Sequence, residues 1–175
     1  MRQVGAIHLL LGPVGAGKST LAQRLCEAHG AVAFDLDDWM VRLFAPDRPA
    51  APDALVPWYT ERAERCVEMI WVVAQDVGRT GTDVVLELGL VRALPRRAFL
   101  AQLDRSPFDV TLHLVDAPRE RRRERVARRN ATRGSTFSMA VSPEVFEMAS
   151  DLWEPPTQRE LAGRRVVHVD NGAER

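Results

Sequence analysis

Residues 7–20 read Ile7-His8-Leu9-Leu10-Leu11-Gly12-Pro13-Val14-Gly15-Ala16-Gly17-Lys18-Ser19-Thr20, and this stretch decides the fold. An apolar run stops at a glycine, two further glycines follow, and Lys-Ser-Thr opens an amphipathic segment. Gly12–Ser19 fits G-x-x-x-x-G-K-[ST] in full, the strand–loop–helix arrangement that cradles phosphates. Gly12, Gly15 and Gly17 let the backbone curl so that successive N–H groups point inward. A helix opening near Lys18 adds its positive end. The motif's chemistry has Lys18 bridging the β- and γ-phosphates of ATP, the Ser19 hydroxyl ligating Mg²⁺, and Thr20 helping to hold the α-phosphate. Gly12, Pro13, Val14, Gly15, Ala16, Gly17, Lys18, Ser19 and Thr20 are the expected nucleotide-binding set.

Working outward, strands and helices alternate. Ala6–Leu11 predicts a first strand and Lys18–His29 a helix, with Leu21, Ala22, Leu25 and Ala28 on one face and Gly30 as its stop. Ala31–Phe34 predicts a second strand, followed at once by the acidic Asp35-Leu36-Asp37-Asp38. The prolines of Ala45–Pro57 predict a loop, with Pro57 opening a long helix to about Val77. Val84-Val85-Leu86 is a continuous apolar run, as in a strand buried on both faces. Arg96–Leu103 predicts a helix, Val110–Val115 a fourth strand and Arg119–Arg129 an arginine-laden helix. Asn130–Ala140 reads as flexible. Ser142-Pro143-Glu144 starts a helix that Trp153-Glu154-Pro155-Pro156 stops, and Val166–Val169 predicts a fifth strand. Strands separated by helices imply a parallel sheet with right-handed crossovers, a three-layer α/β/α fold. At 175 residues the chain is expected to be a single domain.

Composition narrows the classes. Lys18 is the only lysine among 24 basic residues. Elsewhere either residue can carry the charge, but a compact ammonium between two phosphates has no planar substitute. Basic and acidic residues balance to a formal charge of zero, so no global field argues for nucleic acid or a membrane as partner. No apolar run approaches the ~20 residues of a membrane span, and Ile7–Leu11 is too short for the core of a signal peptide. Cys26 and Cys66 lack metal-ligand spacing and suggest a reducing cytoplasm. Oligomeric state is not legible; monomer or weak homodimer is the default.

With its single lysine already used, the chain cannot hold the Asn-Lys-x-Asp guanine reader of a GTPase switch. What remains resembles the small P-loop kinases related to nucleoside monophosphate kinases, and within them the AAA_33-type kinases, which are similar to polynucleotide kinase, chloramphenicol phosphotransferase and the zeta toxins. The resemblance spans nearly the whole chain and implies a sheet order of 2-3-1-4-5 with a short lid over about residues 119–142. Acceptor-side insertions fall at about 45–60 and 132–153. Asp37-Asp38-Trp39 matches the acidic pair and aromatic residue after strand two of polynucleotide kinase, which makes Asp37 the general base that activates the attacking hydroxyl. A carboxylate at that strand end suits the role, yet Asp37 or Asp38 could instead cap a helix, and Asp35 competes as base. Asp116-Ala117-Pro118 and the arginine helix resemble the adenylate-kinase lid, placing Arg125 on the adenine and Arg129 on the transferring phosphoryl. The other arginines of that helix read as a solvated face, some paired with Glu120 and Glu124.

Glu87 stands where adenylate kinases place the acid of Asp-Gly-Phe-Pro-Arg, which implies a role in holding a Mg²⁺-bound water or in positioning the substrate. The rest of that sequence departs, reading Glu87-Leu88-Gly89-Leu90-Val91-Arg92, which weighs against a nucleotide acceptor. Trp39, Trp58, Tyr59, Phe137 and Trp153 offer aromatic walls for an acceptor, with packing as the bland alternative for Trp58 and Trp153. Arg92 or Arg133 could grip an anionic group. The resemblance therefore implies ATP- and Mg²⁺-dependent phosphotransfer to a small-molecule hydroxyl: an antibiotic, a sugar, a sugar nucleotide or another metabolite. The alternatives are a nucleic-acid 5′-hydroxyl kinase and a nucleotide-binding regulatory module without phosphotransfer.

Overall fold

The computed structural model describes residues 4–134 and 139–172. Its centre is β1 (Ile7–Leu11), every residue of which is buried. β1 leads through the glycine loop into α1 (Lys18–His29), followed by β2 (Val32–Asp35) and α2 (Leu36–Phe44). A 3-10 turn (Ala45–Asp47) precedes α3 (Pro52–Arg79), β3 (Val84–Glu87), α4 (Ala93–Leu103) and β4 (Val110–Asp116). α5 (Arg119–Thr132), α6 (Pro143–Asp151), α7 (Gln158–Leu161) and β5 (Arg165–Asp170) complete the fold.

All strands are parallel, as the alternation of strands and helices predicts, in the order β2-β3-β1-β4-β5 that the resemblance implies. Alternation along β1 sends side chains to both faces of the sheet. Ile7, Leu9 and Leu11 join a core with Ile70 and Ala74 of α3 and Phe99, Leu100 and Leu103 of α4. Leu10 and Val85 meet Ala22, Leu21 and Leu25 of α1 on the opposite face. Burial on both sides is why β1 and β3 read as continuous apolar runs.

Several boundaries differ from expectation. α3 starts at Pro52, and Pro57 lies inside it. A proline in the first turn is compatible with a helix because that N–H has no intrahelical partner anyway. Pro57 removes a bond to the Asp53 carbonyl, but Asp53 is exposed and water can satisfy it. α4 opens one turn early, where the Ala93 N–H donates to Glu154 Oε2 at 2.7 Å. Asn130–Thr132 is helical rather than loose, and the Asn130 side chain brackets Val141 by donating to its carbonyl and accepting from its N–H. The short α7 was not expected; Thr157 and Glu160 form a capping box there. Glu160 also accepts from the fully buried Arg96 at 2.9 Å, tying α7 to α4.

Two buried histidines meet on the neighbouring strands β1 and β4, His8 Nδ1 lying 3.0 Å from His113 Nε2. Burial lowers both pKa values, that of His113 to about 4; the nearby His29 contributes to each, while Asp83 opposes the shift at His8. The folded protein thus refuses protons that the unfolded chain accepts below about 6.5. Stability from this pair is complete above that pH and is lost as pH falls towards about 4. His113→Gln should therefore flatten the decline in melting temperature between pH 6.5 and 4.5. An unchanged slope in thermal melts would show that the pair carries none of the acid sensitivity.

Candidate active site

The glycine loop leaves the C-terminal end of β1, the edge of a parallel sheet where ligands bind. Gly17 holds φ 103° as it caps α1, and a Cβ there would come 2.7 Å from Asn171 Nδ2. Only glycine meets both demands. Asn171, just beyond β5, donates from that nitrogen to the Ala16 carbonyl at 2.8 Å. Lys18 Nζ donates to the Gly12 and Pro13 carbonyls, each at 3.1 Å, and lies 3.8 Å from Glu87 Oε1. Ser19 is half-buried beside Glu87, while Thr20 is exposed on the first turn of α1.

β2 and β3 end in register, with Asp35 opposite Glu87. Burial pushes the Glu87 carboxyl up to about 7; Lys18 and the Ser19 hydroxyl oppose the shift, while Asp35 and Asp37 add to it. Glu87 Oε2 is buried without a hydrogen-bond partner. Asp35 is the N-cap of α2: its Oδ1 accepts from the N–H groups of Asp37 at 2.8 Å and Asp38 at 3.4 Å. Burial raises the Asp35 pKa, followed by repulsion from Asp37. The cap is thus Asp35, not Asp37 or Asp38, for which the sequence left capping open as the alternative to the base role. Asp38 pairs with Arg42 one turn on, at 2.8 Å. Asp37 is exposed, and its Oδ1 accepts from the Tyr59 hydroxyl at 3.4 Å.

The arginines of α5 divide by direction. Arg119 and Arg123 reach Glu147 of α6, and Arg119 also reaches Asp151. Arg121 pairs with Glu124 within the helix at 3.9 Å. Arg121, Arg123 and Arg128 are exposed, as expected of a solvated face, but Arg119 and Arg123 also tie that face to α6. Arg125 Nη2 donates to the Asn171 carbonyl, which puts it one residue away from the phosphate loop. Arg129 is half-buried, and its Nε lacks a partner. Arg122, which spacing alone does not single out, is buried and donates to the Val14 carbonyl of the loop.

On the acceptor side, Trp39, Trp58 and Trp153 all pack against the main core. Trp39 meets the Phe34 ring edge-on, Trp58 lies under the Arg62 guanidinium and Trp153 under that of Arg96. All three are only partly buried in this packing, and Trp58 Nε1 is buried without a partner. Tyr59 differs, because its hydroxyl turns to Asp37. Arg92 is exposed at the start of α4, and Arg133 ends α5 in a left-handed conformation. Phe137 lies outside the described residues.

With the site in place, comparison with known proteins adds the family. The AAA_33 family model, described as an AAA domain, matches residues 7–156. The chain belongs to this family. The matched span of this AAA_33 domain holds the phosphate loop, Asp37, Glu87 and α5. No curated protein matches by sequence.

Solved structures are similar in fold. A candidate kinase from Chloroflexus aurantiacus superposes with a TM-score of 0.70 at 20% identity, covering 97% of this chain and 87% of that one. A gluconokinase from Sinorhizobium meliloti gives 0.54 at 18%, covering 99% and 86%. Kti12 from Chaetomium thermophilum, solved with ADP-AlF3, gives 0.65 at 14%, covering 93% and 88%.

The raised Glu87 pKa has a testable sign. The folded protein keeps a proton that the unfolded chain releases above about 4.5, so this stabilisation is present at low pH and lost as pH rises through about 7. Without nucleotide, Glu87→Gln should melt higher than the parent protein at pH 8, and the gain should shrink towards pH 5. A gain independent of pH would place the burial cost elsewhere.

Proposed function

We propose that this AAA_33 domain is an ATP-dependent phosphotransferase that moves the γ-phosphoryl group to a hydroxyl of a small molecule. The carrying observation is Asp37. Asp35 takes over the capping of α2, and the Asp37 carboxylate, which contributes to the raised pKa of Glu87, has a hydroxyl, that of Tyr59, already directed at it. An acceptor alcohol would take the place of the Tyr59 hydroxyl.

In the proposed reaction the acceptor O–H gives its proton to Asp37 and its oxygen attacks the γ-phosphorus. The bond to the β–γ bridging oxygen breaks, and ADP leaves. Lys18 would shift its donors from the loop carbonyls to the β- and γ-phosphates. Arg129, whose Nε has no partner, would offset charge on the transferring phosphoryl, and Arg125 would lie on the adenine. Mg²⁺ would neutralise phosphate charge. Ser19 and Glu87 are the oxygen donors that suit it, Glu87 through a water, and the orphaned Glu87 Oε2 fits this part. Among the described residues no cluster of three acidic, histidine or cysteine side chains could hold a metal alone, so the cation would arrive shared with the nucleotide.

The kinase fold of the neighbours and the nucleotide analogue bound to Kti12 support this reading, and the gluconokinase supports a sugar-like acceptor. No helix among the described residues is long and apolar enough to cross a membrane. Two free cysteines fit the reducing cytoplasm, where we place the protein.

The first test is Mg²⁺-dependent conversion of ATP to ADP against antibiotics, sugars, nucleosides, sugar nucleotides and 5′-hydroxyl oligonucleotides. Turnover should rise with a small-molecule acceptor and fall about 100-fold or more in Asp37→Asn. ATP binding that no acceptor turns into turnover would favour a regulatory module, and stimulation by oligonucleotides alone would move the acceptor class to nucleic acid. Lys18→Ala should lose ATP binding in direct titration. Arg129→Ala should lower kcat far more than it raises the KM for ATP, since its contact forms mainly in the transition state. A raised KM with unchanged kcat would remove that role.

A further inference from the structure

Arg122 lies 7% exposed between three parts of the molecule. Its Nε donates to the Ala117 carbonyl at the turn from β4 into α5, at 3.1 Å. Its Nη1 donates to the Val14 carbonyl in the phosphate loop at 3.0 Å and to Ser150 Oγ of α6 at 3.1 Å. The guanidinium lies over the Phe146 ring of α6, 5.6 Å from its centroid. A charged group is costly to bury, and this one is held by two carbonyls, a hydroxyl and a ring face.

The contact with Val14 has a geometric consequence. The peptide is trans, so the Val14 carbonyl and the Gly15 N–H point in opposite directions. Holding the carbonyl towards α5 aims the N–H away from α5, into the curl of the loop where a phosphate would sit. The same arginine touches the loop a second time. Gly15 has φ 75°, and a Cβ there would stand 2.8 Å from the Arg122 carbonyl oxygen and 3.2 Å from its Cβ. The loop is therefore seated directly on this turn of α5.

α6 is joined to the same unit. Arg119 and Arg123, flanking Arg122, both bond to Glu147. We propose that Arg122 is a positioning residue that fixes the Val14–Gly15 peptide of the phosphate loop and couples it to α6, so that phosphate binding and α5–α6 packing reinforce each other. This rests on the reading of Gly12–Ser19 as a nucleotide site. By reciprocity, a nucleotide in the loop tightens α6 without touching it.

The test measures ADP affinity by titration and amide hydrogen exchange across residues 143–151, in the parent protein, Arg122→Gln and Ser150→Ala. ADP should slow exchange in α6 of the parent protein. Arg122→Gln should bind ADP about tenfold or more weakly, as expected for losing a buried charge-assisted bond. At saturating ADP it should show no added α6 protection. Ser150→Ala keeps the Val14 bond but weakens the link to α6, so ADP should add less α6 protection and bind more weakly than to the parent, though less so than in Arg122→Gln. Arg122→Gln that melts lower yet binds ADP as the parent does, with the same α6 protection, would reduce Arg122 to a structural role and overturn the proposal. If Arg122→Gln does not fold, unchanged α6 protection in Ser150→Ala overturns it instead. A parent protein that binds no ADP would defeat the nucleotide reading and this inference with it, whereas ADP binding that leaves α6 exchange unaltered defeats the inference alone.

Discussion

The structure depends on one constraint: a short loop must turn its N–H groups inward, and every carbonyl turned outward needs a partner of its own. Three regions of the chain supply those partners. Lys18 takes the carbonyls of Gly12 and Pro13, Arg122 takes that of Val14, and Asn171 takes that of Ala16. The fully buried β1 fixes where the loop begins. Glycine is required where these partners approach, at Gly15 against α5 and at Gly17 against Asn171. The phosphate loop is thus a junction at which β1, α1, α5 and the end of β5 meet.

A second constraint is electrostatic. Asp35, Asp37 and Glu87 act on one another beside the Lys18–Glu87 contact, and burial makes their mutual repulsion matter. The protein relieves it in different ways. Asp35 is anchored by two backbone N–H groups, Glu87 has its pKa raised into the neutral range, and Asp37 stays at the exposed edge. This separation assigns a capping role to one acid and leaves another accessible to an incoming hydroxyl. A cation carried in with phosphates would complete the charge balance.

The arginine helix shows how spacing misleads. Apart from Arg125 and Arg129, the arginines of α5 read mostly as a solvated face because helical periodicity reports only which side of a cylinder a residue occupies. It does not report what packs there. α6 brings Glu147 and Asp151 against that face, and Ser150 and Phe146 receive the buried Arg122. The Arg96–Glu160 pair escaped for the same reason, its partners being far apart in the chain. The Tyr59–Asp37 contact likewise joins two helices that no local pattern links.

By itself the sequence determined the phosphate loop, the alternation of strands and helices, the parallel sheet and the ends of most elements. Those features rest on local rules: glycine's conformational freedom, apolar periodicity, and the stops imposed by proline and glycine. It also placed Lys18, Asp37 and Glu87 at strand or loop ends facing one side of the sheet. Only the tertiary structure decided that Asp35 is the cap, that Pro57 stays within α3, that the tryptophans pack inward, and that Arg122 and Asn171 hold the loop. Each of these depends on which distant groups meet once the sheet is assembled, and on how burial reweights charge and hydrogen bonding there. A one-dimensional pattern records what a residue can do. Its neighbours in three dimensions decide which of those things it does.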